Sequence, residues 1–310
     1  MNDQEYMGLA LQLAEKGCGW TAPNPMVGAV IVKDGRIIGQ GWHEKYGGLH
    51  AERNALASCT EPPNGATMYV TLEPCCHYGK QPPCVEAVLE AGIRRVVVGS
   101  ADPNPLVSGK GIRILREHGV QTDVDVLREE CDKLNEVFMY FIQTRLPFVV
   151  MKYAMTLDGK IAAYTGASKW ITGETARNHV QQQRHRYTAI MAGIGTVLAD
   201  DPLLTCRIPD GKNPIRVICD SSMRIPMDAQ IVTTAKQVST ILAVCEKGYQ
   251  NYEKRQALEE AGCRVLCVEE RGGHVDLRQL MHKLGEEQID SVLLEGGGTM
   301  HWAALESGVV

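Results

Sequence analysis

At 310 residues, with 44% hydrophobic and 22% charged residues, the chain is too long and too apolar for a disordered segment, and long enough for two domains with cores of their own. A net charge of -5, 5% aromatics and no Lys/Arg block of five leave no electrostatic footprint for a nucleic-acid partner, although a small anionic substrate needs only two or three local cations. Eleven scattered cysteines, with no signal peptide and no apolar run of membrane length, point to a reducing cytoplasm and away from a membrane.

Tyr6, Leu9, Ala10, Leu13 and Ala14 recur at helical spacing between Asp3 and Gly17, and Gly17-Cys18-Gly19 ends the pattern, so the chain opens with a helix. Asp34-Gly35 between the apolar runs Met26–Val32 and Arg36–Gly39 predicts a tight hairpin, followed by a helix carrying His50 and Glu52. A strand over Thr67–Leu72 leads into a cysteine-bearing loop. A helix over Pro83–Ala91, a strand over Arg95–Gly99, a helix over Gly111–His118, a strand over Val120–Val126 and one helix from Arg128 to about Gln143 follow. The helical pattern stops at Pro147, which places a boundary between a first domain, residues 1–145, and a second, residues 146–310. In the second, strands are expected over Phe148–Tyr153, Tyr187–Ala192, Ile215–Cys219, Ser239–Val244, Arg264–Val268 and Ser291–Leu294. Both halves read as α/β, a sheet covered by helices with sites at strand-to-helix junctions.

Chemistry concentrates in His50-Ala51-Glu52, Pro74-Cys75 and Cys84. One imidazole and two thiolates make three soft zinc ligands, and catalytic zinc sites keep a fourth position for a water whose pKa falls to about 7. Glu52 is expected to stay off the metal and carry a proton from that water to a departing amine, the division of labour in the zinc deaminase signature H-x-E…P-C-x-x-C. Eight residues, Cys76 to Pro83, separate the cysteines where the common form has two, so the ligand loop is enlarged. Cys84 follows two prolines and opens an apolar-periodic segment, which puts it in the first turn of a helix, where the dipole favours a thiolate. Residues i and i+2 of a helix point to nearly opposite sides, so His50 and Glu52 share a site only if His50 stands at the helix entrance. Cys76 and His77 compete as ligands, but Cys76 adjoins Cys75 and cannot easily share its tetrahedral site; both read as loop residues, with His77 the stronger rival. The bland alternative puts His50 and Glu52 on a solvated helix face and makes Cys75 and Cys84 small buried apolar groups.

Thr21-Ala-Pro-Asn-Pro-Met-Val-Gly-Ala-Val-Ile-Val32, Gly48-Leu-His-Ala-Glu52 and Glu73-Pro-Cys-Cys-His-Tyr-Gly-Lys-Gln-Pro-Pro-Cys84 closely resemble the deaminase half of the bifunctional deaminase/reductase family of riboflavin biosynthesis, enlarged cysteine spacing included. Lys152-Tyr-Ala-Met-Thr-Leu-Asp-Gly-Lys160, Ser168-Lys-Trp-Ile-Thr172, Gly195-Thr-Val-Leu-Ala-Asp-Asp-Pro202 and Leu294-Glu-Gly-Gly-Gly298 resemble its reductase half, so the likeness spans essentially the whole chain. It implies a cytidine-deaminase-like three-layer domain followed by a dihydrofolate-reductase-like α/β domain, with zinc and NADPH as cofactors. The implied substrate is a small phosphorylated pyrimidine, a diaminopyrimidinone carrying a ribosylamino 5-phosphate. The first domain deaminates it and the second reduces its ribosyl group to ribityl, giving the phosphorylated aminouracil precursor of riboflavin.

The resemblance also implies residue roles. His50, Cys75 and Cys84 hold zinc and Glu52 is the general acid/base; Asn24, His43, Lys80, Asp102 and Asn104 line the deaminase pocket, with Lys80 at the phosphate. Asn24 between two prolines and Asp102-Pro-Asn104 are equally natural as turns. Ala154, Trp170, Thr196, Asp200, Gly297, Gly298 and Thr299 are implied for NADPH, and Ser168, Arg184, Leu204, Arg207 and Glu295 for the reductase substrate. Gly296-Gly-Gly298 follows an apolar strand and precedes a helix-like segment, so bare backbone there can approach a pyrophosphate, although a glycine triplet alone is more often a plain turn. Arg184 and Arg207 suit bidentate phosphate binding, while the polar run Gln181–Arg186 also fits a solvated face. Trp170 stacks on a nicotinamide or fills a core.

The chain stops at Val310, soon after Leu294–Gly298, where the resembling family continues through further strands. The expectation is an incomplete sheet edge with an impaired reductase, or one completed in a homo-oligomer. Two other classes stand beside the bifunctional enzyme. A nucleic-acid base deaminase needs a basic channel and stacking aromatics that the composition lacks. A structural-zinc binding module needs a closed four-ligand site drawing in His77 or Cys76.

Overall fold

The computed structural model describes every residue except Lys169, so that member of the Ser168–Thr172 motif lies outside the described residues. It divides into two compact units, Met1–Thr144 and Arg145–Val310.

The first unit runs α1 (Asp3–Glu15), β1 (Gly28–Lys33), β2 (Arg36–Trp42), α2 (Ala51–Ala57), β3 (Thr67–Leu72), α3 (Cys84–Glu90), β4 (Arg95–Ser100), α4 (Lys110–Glu117), β5 (Gln121–Asp123), α5 (Arg128–Leu134) and α6 (Glu136–Thr144). Its five-stranded sheet has the order β2-β1-β3-β4-β5, antiparallel through β3 and parallel beyond it. Successive strand residues face opposite sides, which makes three layers. Ala29, Ile31, Met68, Val70, Val96 and Val98 pack against α2, α3 and α4 through Ala51, Ala55, Val85, Val88 and Leu115. Val30, Val32, Tyr69 and Val97 pack on the other face against Tyr6, Met7, Ala10, Leu13 and Cys131 of α1 and α5. Each fully buried Val, Ile or Leu contributes about 1.5–3 kcal/mol, which keeps the helix layers on the sheet. Two glycines allow the approaches that set the site. A Cβ on Gly41 would stand 2.3 Å from the Ala55 nitrogen, so glycine there lets α2 lie directly on β2, and a Cβ on Gly111 would stand 2.2 Å from the Pro74 oxygen, where α4 meets the cysteine loop.

The helix expected from Arg128 to Gln143 is two helices, broken at Asn135. The buried Asn135 amide turns onto the Met26 backbone, Oδ1 accepting from its nitrogen at 2.8 Å and Nδ2 donating to its oxygen at 2.9 Å. A side chain committed to another segment's backbone competes with helix continuation, and here it also pins the chain two residues beyond Asn24. The strand expected over Val120–Val126 shortens to Gln121–Asp123, because Asp125 and Leu127 turn the chain at φ +63° and +56°.

The second unit comprises β6 (Phe148–Met151), α7 (Glu174–Arg186), β7 (Ala189–Gly193), α8 (Ile194–Asp200), β8 (Ile215–Cys219), α9 (Gln230–Thr233), β9 (Thr240–Val244), α10 (Glu246–Tyr249), α11 (Tyr252–Glu260), β10 (Cys263–Cys267), a small hairpin β11 (Glu270–Arg271) and β12 (His274–Val275), α12 (Leu277–Glu286), β13 (Ser291–Leu294) and α13 (Gly298–Ser307). Its main sheet is parallel throughout, in the order β10-β9-β8-β7-β13-β6. Strands buried on both faces read as nearly continuous apolar runs. Met191, Val217, Ile241 and Leu294 meet Leu280, Leu284 and Ala304 on one side, and Ile190, Ile218 and Leu242 meet Val197, Ile231 and Leu258 on the other.

Arg216, 0% exposed in the middle of this unit, uses all five of its N–H groups on neutral acceptors. Nε donates to Thr240 Oγ1, Nη1 to Leu203 O and Thr234 Oγ1, and Nη2 to Ile231 O and Val238 O, at 2.8–3.2 Å. The fork thereby ties β8 to the chain immediately before Leu204. Arg216→Met removes the donor from five acceptors, three of them in buried contacts, and is expected to cost about 3 kcal/mol or more, read as a fall in the urea midpoint at unchanged slope. Arg216→Lys, with a single ammonium, is expected to restore less than half of it.

Candidate active sites

In the first unit three chain segments deliver ligands to one point. His50 is the N-cap of α2, in extended conformation at φ -74° and ψ 162°, so it stands at the helix entrance and Glu52 lies in the first turn. Cys75 lies just past β3, and Cys84 is the first residue of α3. The His50 Nδ1 is 3.5 Å from the Cys75 sulfur and 3.4 Å from the Cys84 sulfur, and the three ligand atoms lie within 4.8 Å of one another. Zinc bonds of about 2.3 Å to sulfur and 2.0–2.1 Å to nitrogen put neighbouring corners of a tetrahedron roughly 3.5 Å apart, so the set has the dimensions of a zinc site.

The electrostatics agree. The Cys84 thiol, together with His50, holds the Cys75 pKa down to about 4, while Cys84, buried against that thiolate, is pushed far up and His50 is raised by its bond to Cys75. Two facing sulfurs cannot both ionise without a cation between them, and two thiolates with an imidazole select zinc among the common hard and borderline ions. Glu52 is outside the ligand set and 4% exposed; burial, and then the charge of Cys75, push its carboxyl up to about 7. Cys76 and His77 are not in the ligand set either: the Cys76 thiol turns to the Leu106 oxygen at 3.6 Å.

Four of the five expected pocket residues gather round this centre. The buried His43 ring stands edge-on to His50 at 5.4 Å between centroids; its Nδ1 faces the Leu49 oxygen at 2.9 Å and its Nε2 faces Asn24 Nδ2 at 3.2 Å. A carbonyl at Nδ1 requires the proton there, so Nε2 accepts from the Asn24 amide. Burial lowers the His43 pKa, which keeps this neutral form. Asp102 accepts the Asn104 amide at 2.8 Å, and burial, with the charges of Glu73 and Cys75 nearby, raises its carboxyl to about 6. Asn104 Oδ1 accepts from Leu106 N at 3.1 Å, so this turn is built by the same side chains that were candidates for binding. Lys80 is the exception: it is exposed on the enlarged loop, its Nζ 3.9 Å above the Tyr46 ring.

Two contributors carry no sequence motif that names their job. The buried Glu73 accepts from Gly109 N at 2.9 Å and Ile112 N at 3.2 Å, which joins the start of α4 to the cysteine loop. Asn135 fixes Met26 as described. Glu73 at least belongs to the quoted Glu73–Cys84 segment, whereas Asn135 sits in a helical pattern that gives no hint of its partner.

In the second unit Ala154, Thr196, Glu295 and Gly297–Thr299 follow the carboxyl ends of β6, β7 and β13 in the chain. Glu295, following β13, lies between two cations: Arg184 Nε and Nη2 grip its carboxylate at 2.8 and 3.1 Å, and Lys152 Nζ reaches it at 3.1 Å. Burial raises the Glu295 pKa, but the two cations outweigh it and hold the group below its ordinary range. The remaining Arg184 nitrogen donates to the Thr205 oxygen at 2.9 Å. The Arg184 fork thus pairs with a carboxylate, and with its side chain 11% exposed it is no solvated face. Lys152 opens the Lys152–Lys160 motif.

Gly296–Gly298 forms the turn from β13 into α13; Gly297 is the N-cap, no side chain caps the helix, and 297–299 are exposed. His301 Nε2 accepts the Gly296 amide at 3.4 Å. Thr196 and Asp200 lie on α8. Ala154, Ser168 and Trp170 lie on the irregular stretch between β6 and α7, and Trp170 is 72% exposed beneath the Arg177 guanidinium at 4.7 Å, which removes the core-filling alternative. Leu204 is 4% exposed and packs with Ile190 and Val197, so its backbone is what it can offer a ligand, whereas Arg207 is exposed.

Comparison with known proteins agrees with both halves. Residues 1–100 match the cytidine and deoxycytidylate deaminase zinc-binding region, and residues 147–310 match the RibD C-terminal domain. The riboflavin biosynthesis protein RibD of Actinobacillus pleuropneumoniae is 54% identical over 310 residues, covering 100% of this chain and 82% of that protein. RibD of Aquifex aeolicus (strain VF5) is 44% identical, covering 99% and 84%. Among solved structures, the diaminohydroxyphosphoribosylaminopyrimidine deaminase/5-amino-6-(5-phosphoribosylamino)uracil reductase of Thermotoga maritima superposes with a TM-score of 0.88 at 41% identity, covering 98% of this chain and 83% of that one. Acinetobacter baumannii RibD gives a TM-score of 0.89 at 40% identity, covering 99% and 84%. With a zinc-binding deaminase region, a RibD reductase domain and full-length relatives well above 30% identity, the chain belongs to the RibD family of bifunctional deaminase/reductases of riboflavin biosynthesis.

Proposed function

We propose that this chain converts a diaminopyrimidinone carrying a ribosylamino 5-phosphate into the corresponding ribitylamino uracil phosphate, by hydrolytic deamination in the first unit and NADPH-dependent reduction in the second. The observation that carries the deaminase assignment is a buried carboxyl, Glu52, standing beside but outside a two-sulfur, one-imidazole cluster. When bound by His50, Cys75 and Cys84, zinc supplies Lewis acidity that makes water nucleophilic at neutral pH. Glu52 takes a proton from the attacking water and delivers one to the amino nitrogen as the carbon–nitrogen bond breaks, so water adds and ammonia leaves. Burial, which raises the Glu52 carboxyl, favours the protonated form from which the proton is returned. Asn24, His43, Asp102 and Asn104 orient the pyrimidine, and Lys80 swings from Tyr46 to the phosphate.

For the reductase, the uncapped start of α13 offers backbone amides and a dipole end to the cofactor's phosphates. Ala154, Trp170, Thr196, Asp200, Gly297, Gly298 and Thr299 are assigned to NADPH, which supplies the hydride. Ser168, Arg184, the Leu204 backbone, Arg207 and Glu295 are assigned to the substrate, with Lys152 beside Glu295 in the same polar cluster. A homo-oligomer is proposed because β6 is an edge strand of its sheet, beside exposed Leu157 and Tyr164. The cytoplasm is the proposed setting, since the cysteines are free thiols and no helix among the described residues is long and apolar enough to cross a membrane.

Mass spectrometry of products from zinc-loaded protein, substrate and NADPH tests the whole assignment: a deaminated and reduced product is expected, and unchanged substrate refutes it. Glu52→Gln is expected to keep its zinc, measured by metal analysis, while deaminase turnover falls about 10²–10⁴-fold; loss of the zinc instead would contradict the role. Lys80→Ala is expected to raise the deaminase KM roughly tenfold with little change in kcat.

The Glu295 cluster gives a pH test. A carboxylate held below its ordinary value contributes stability that is complete above about pH 4–5 and is lost as pH falls through the lower folded pKa. Thermal melting of the second unit is therefore expected to be insensitive to this group from pH 5 to 8 and to drop below it, a slope that Glu295→Gln diminishes.

A further inference from the structure

The enlarged ligand loop poses a problem that the ligands alone do not solve. Eight residues intervene between Cys75 and Cys84, and ordering them costs conformational entropy that has to be offset if the second sulfur is to stay beside the first. The end of that loop is Pro82-Pro83. Neither proline has an N–H, so the backbone just before Cys84 offers acceptors and no donors.

Arg53 answers both acceptors. It follows Glu52 on α2, and its guanidinium donates from Nε to the Pro82 oxygen at 3.3 Å and from Nη2 to the Pro83 oxygen at 2.9 Å. Pro83 is the N-cap of α3, so the fork grips the residue immediately preceding a ligand. Farther back the loop is held by Gln81 Nε2 on the Gly47 oxygen at 3.2 Å and by the exposed Tyr78 hydroxyl on the Glu86 carboxylate at 2.9–3.0 Å, neither of which touches the residues next to Cys84. Arg53 thus joins the helix entered by His50 to the helix opened by Cys84, across the loop that separates the two cysteines.

We propose that Arg53 is a positioning residue of the metal centre, a clasp that holds the exit of the enlarged loop and so keeps Cys84 on the zinc. It touches neither substrate nor metal; it acts through the carbonyls before Cys84. Outer groups of this kind commonly govern metal retention by an order of magnitude or more.

The test is the rate at which zinc passes from the loaded full-length chain to a chromophoric chelator, measured beside thermal melting. Arg53→Met is expected to release zinc about 10–100-fold faster than the unmodified chain. Arg53→Lys, which keeps the charge but not the planar fork, is expected to fall between them. Release from Arg53→Met at the unmodified rate overturns the proposal. So does faster release that scales with a lowered melting temperature in both variants, because that marks a residue serving helix packing alone. The inference rests on the ligand set proposed above, which Cys84→Ser tests separately: full zinc affinity in Cys84→Ser sinks the ligand assignment, whereas affinity lost there but unchanged release from Arg53→Met sinks the clasp alone.

Discussion

Two sulfurs and an imidazole brought within hydrogen-bond distance in a buried place are unstable as bare charges, and the first unit is organised around making that arrangement tolerable. The ligands come from three segments, and each is fixed by an element whose packing has nothing to do with metal. Gly41 lets α2 settle on β2, which brings the entrance of α2, and with it His50, down to the sheet. The parallel pairing of β3 with β4 places Cys75 at a carboxyl end of the sheet, the usual location of sites in open α/β sheets. The two prolines set the start of α3, so that Cys84 occupies its first turn with the dipole favouring a thiolate. Remove any of these backbone decisions and the donors no longer converge, whatever their chemistry.

A second tier of polar residues then keeps the surrounding loops in register. Asn135 holds Met26 and with it the turn bearing Asn24; Glu73 holds the start of α4 and the chain leading from Asp102 and Asn104 into it. Both are buried and both spend their hydrogen-bonding capacity on backbone amides or carbonyls rather than on other side chains. That is the cheaper way to order a loop, because the backbone groups would otherwise be buried without partners.

What was legible in the sequence and what was not divides along range of interaction. The hairpin at Asp34-Gly35, the strand Thr67–Leu72 and the ligand-bearing helix starts were readable because turn chemistry and apolar periodicity are local. The break at Asn135 was not, since the residue that breaks the helix is satisfied 109 positions away at Met26. The burial of Arg184 was hidden for the same reason: in its own neighbourhood it belongs to a polar run that fits a solvated face, and only the sheet brings it to Glu295, 111 positions on. The metal set escaped this difficulty because its spacing is a motif in its own right, and the one geometric question left open, whether His50 stands at the helix entrance, is settled by its extended backbone at the N-cap. The resemblance supplied names for the reductase residues, but their division between backbone and side chain, as at Leu204, needed burial to resolve.

The buried carboxyls show how one fold assigns opposite tasks to the same functional group. Burial, and then the charge of Cys75, outweigh His50 and the hydrogen bonds to Glu52 and push its carboxyl up to about 7. Asp102 is similarly buried and accepts a backbone amide, and its carboxyl rises to about 6. Glu295 is as enclosed as either, yet the Arg184 fork and Lys152 outweigh burial and keep it ionised. Burial is common to all three, so burial cannot be what distinguishes them; the partners do. Glu295, clamped between two side-chain cations, is held as a fixed negative charge, whereas Glu52 and Asp102 have no such clamp and are raised.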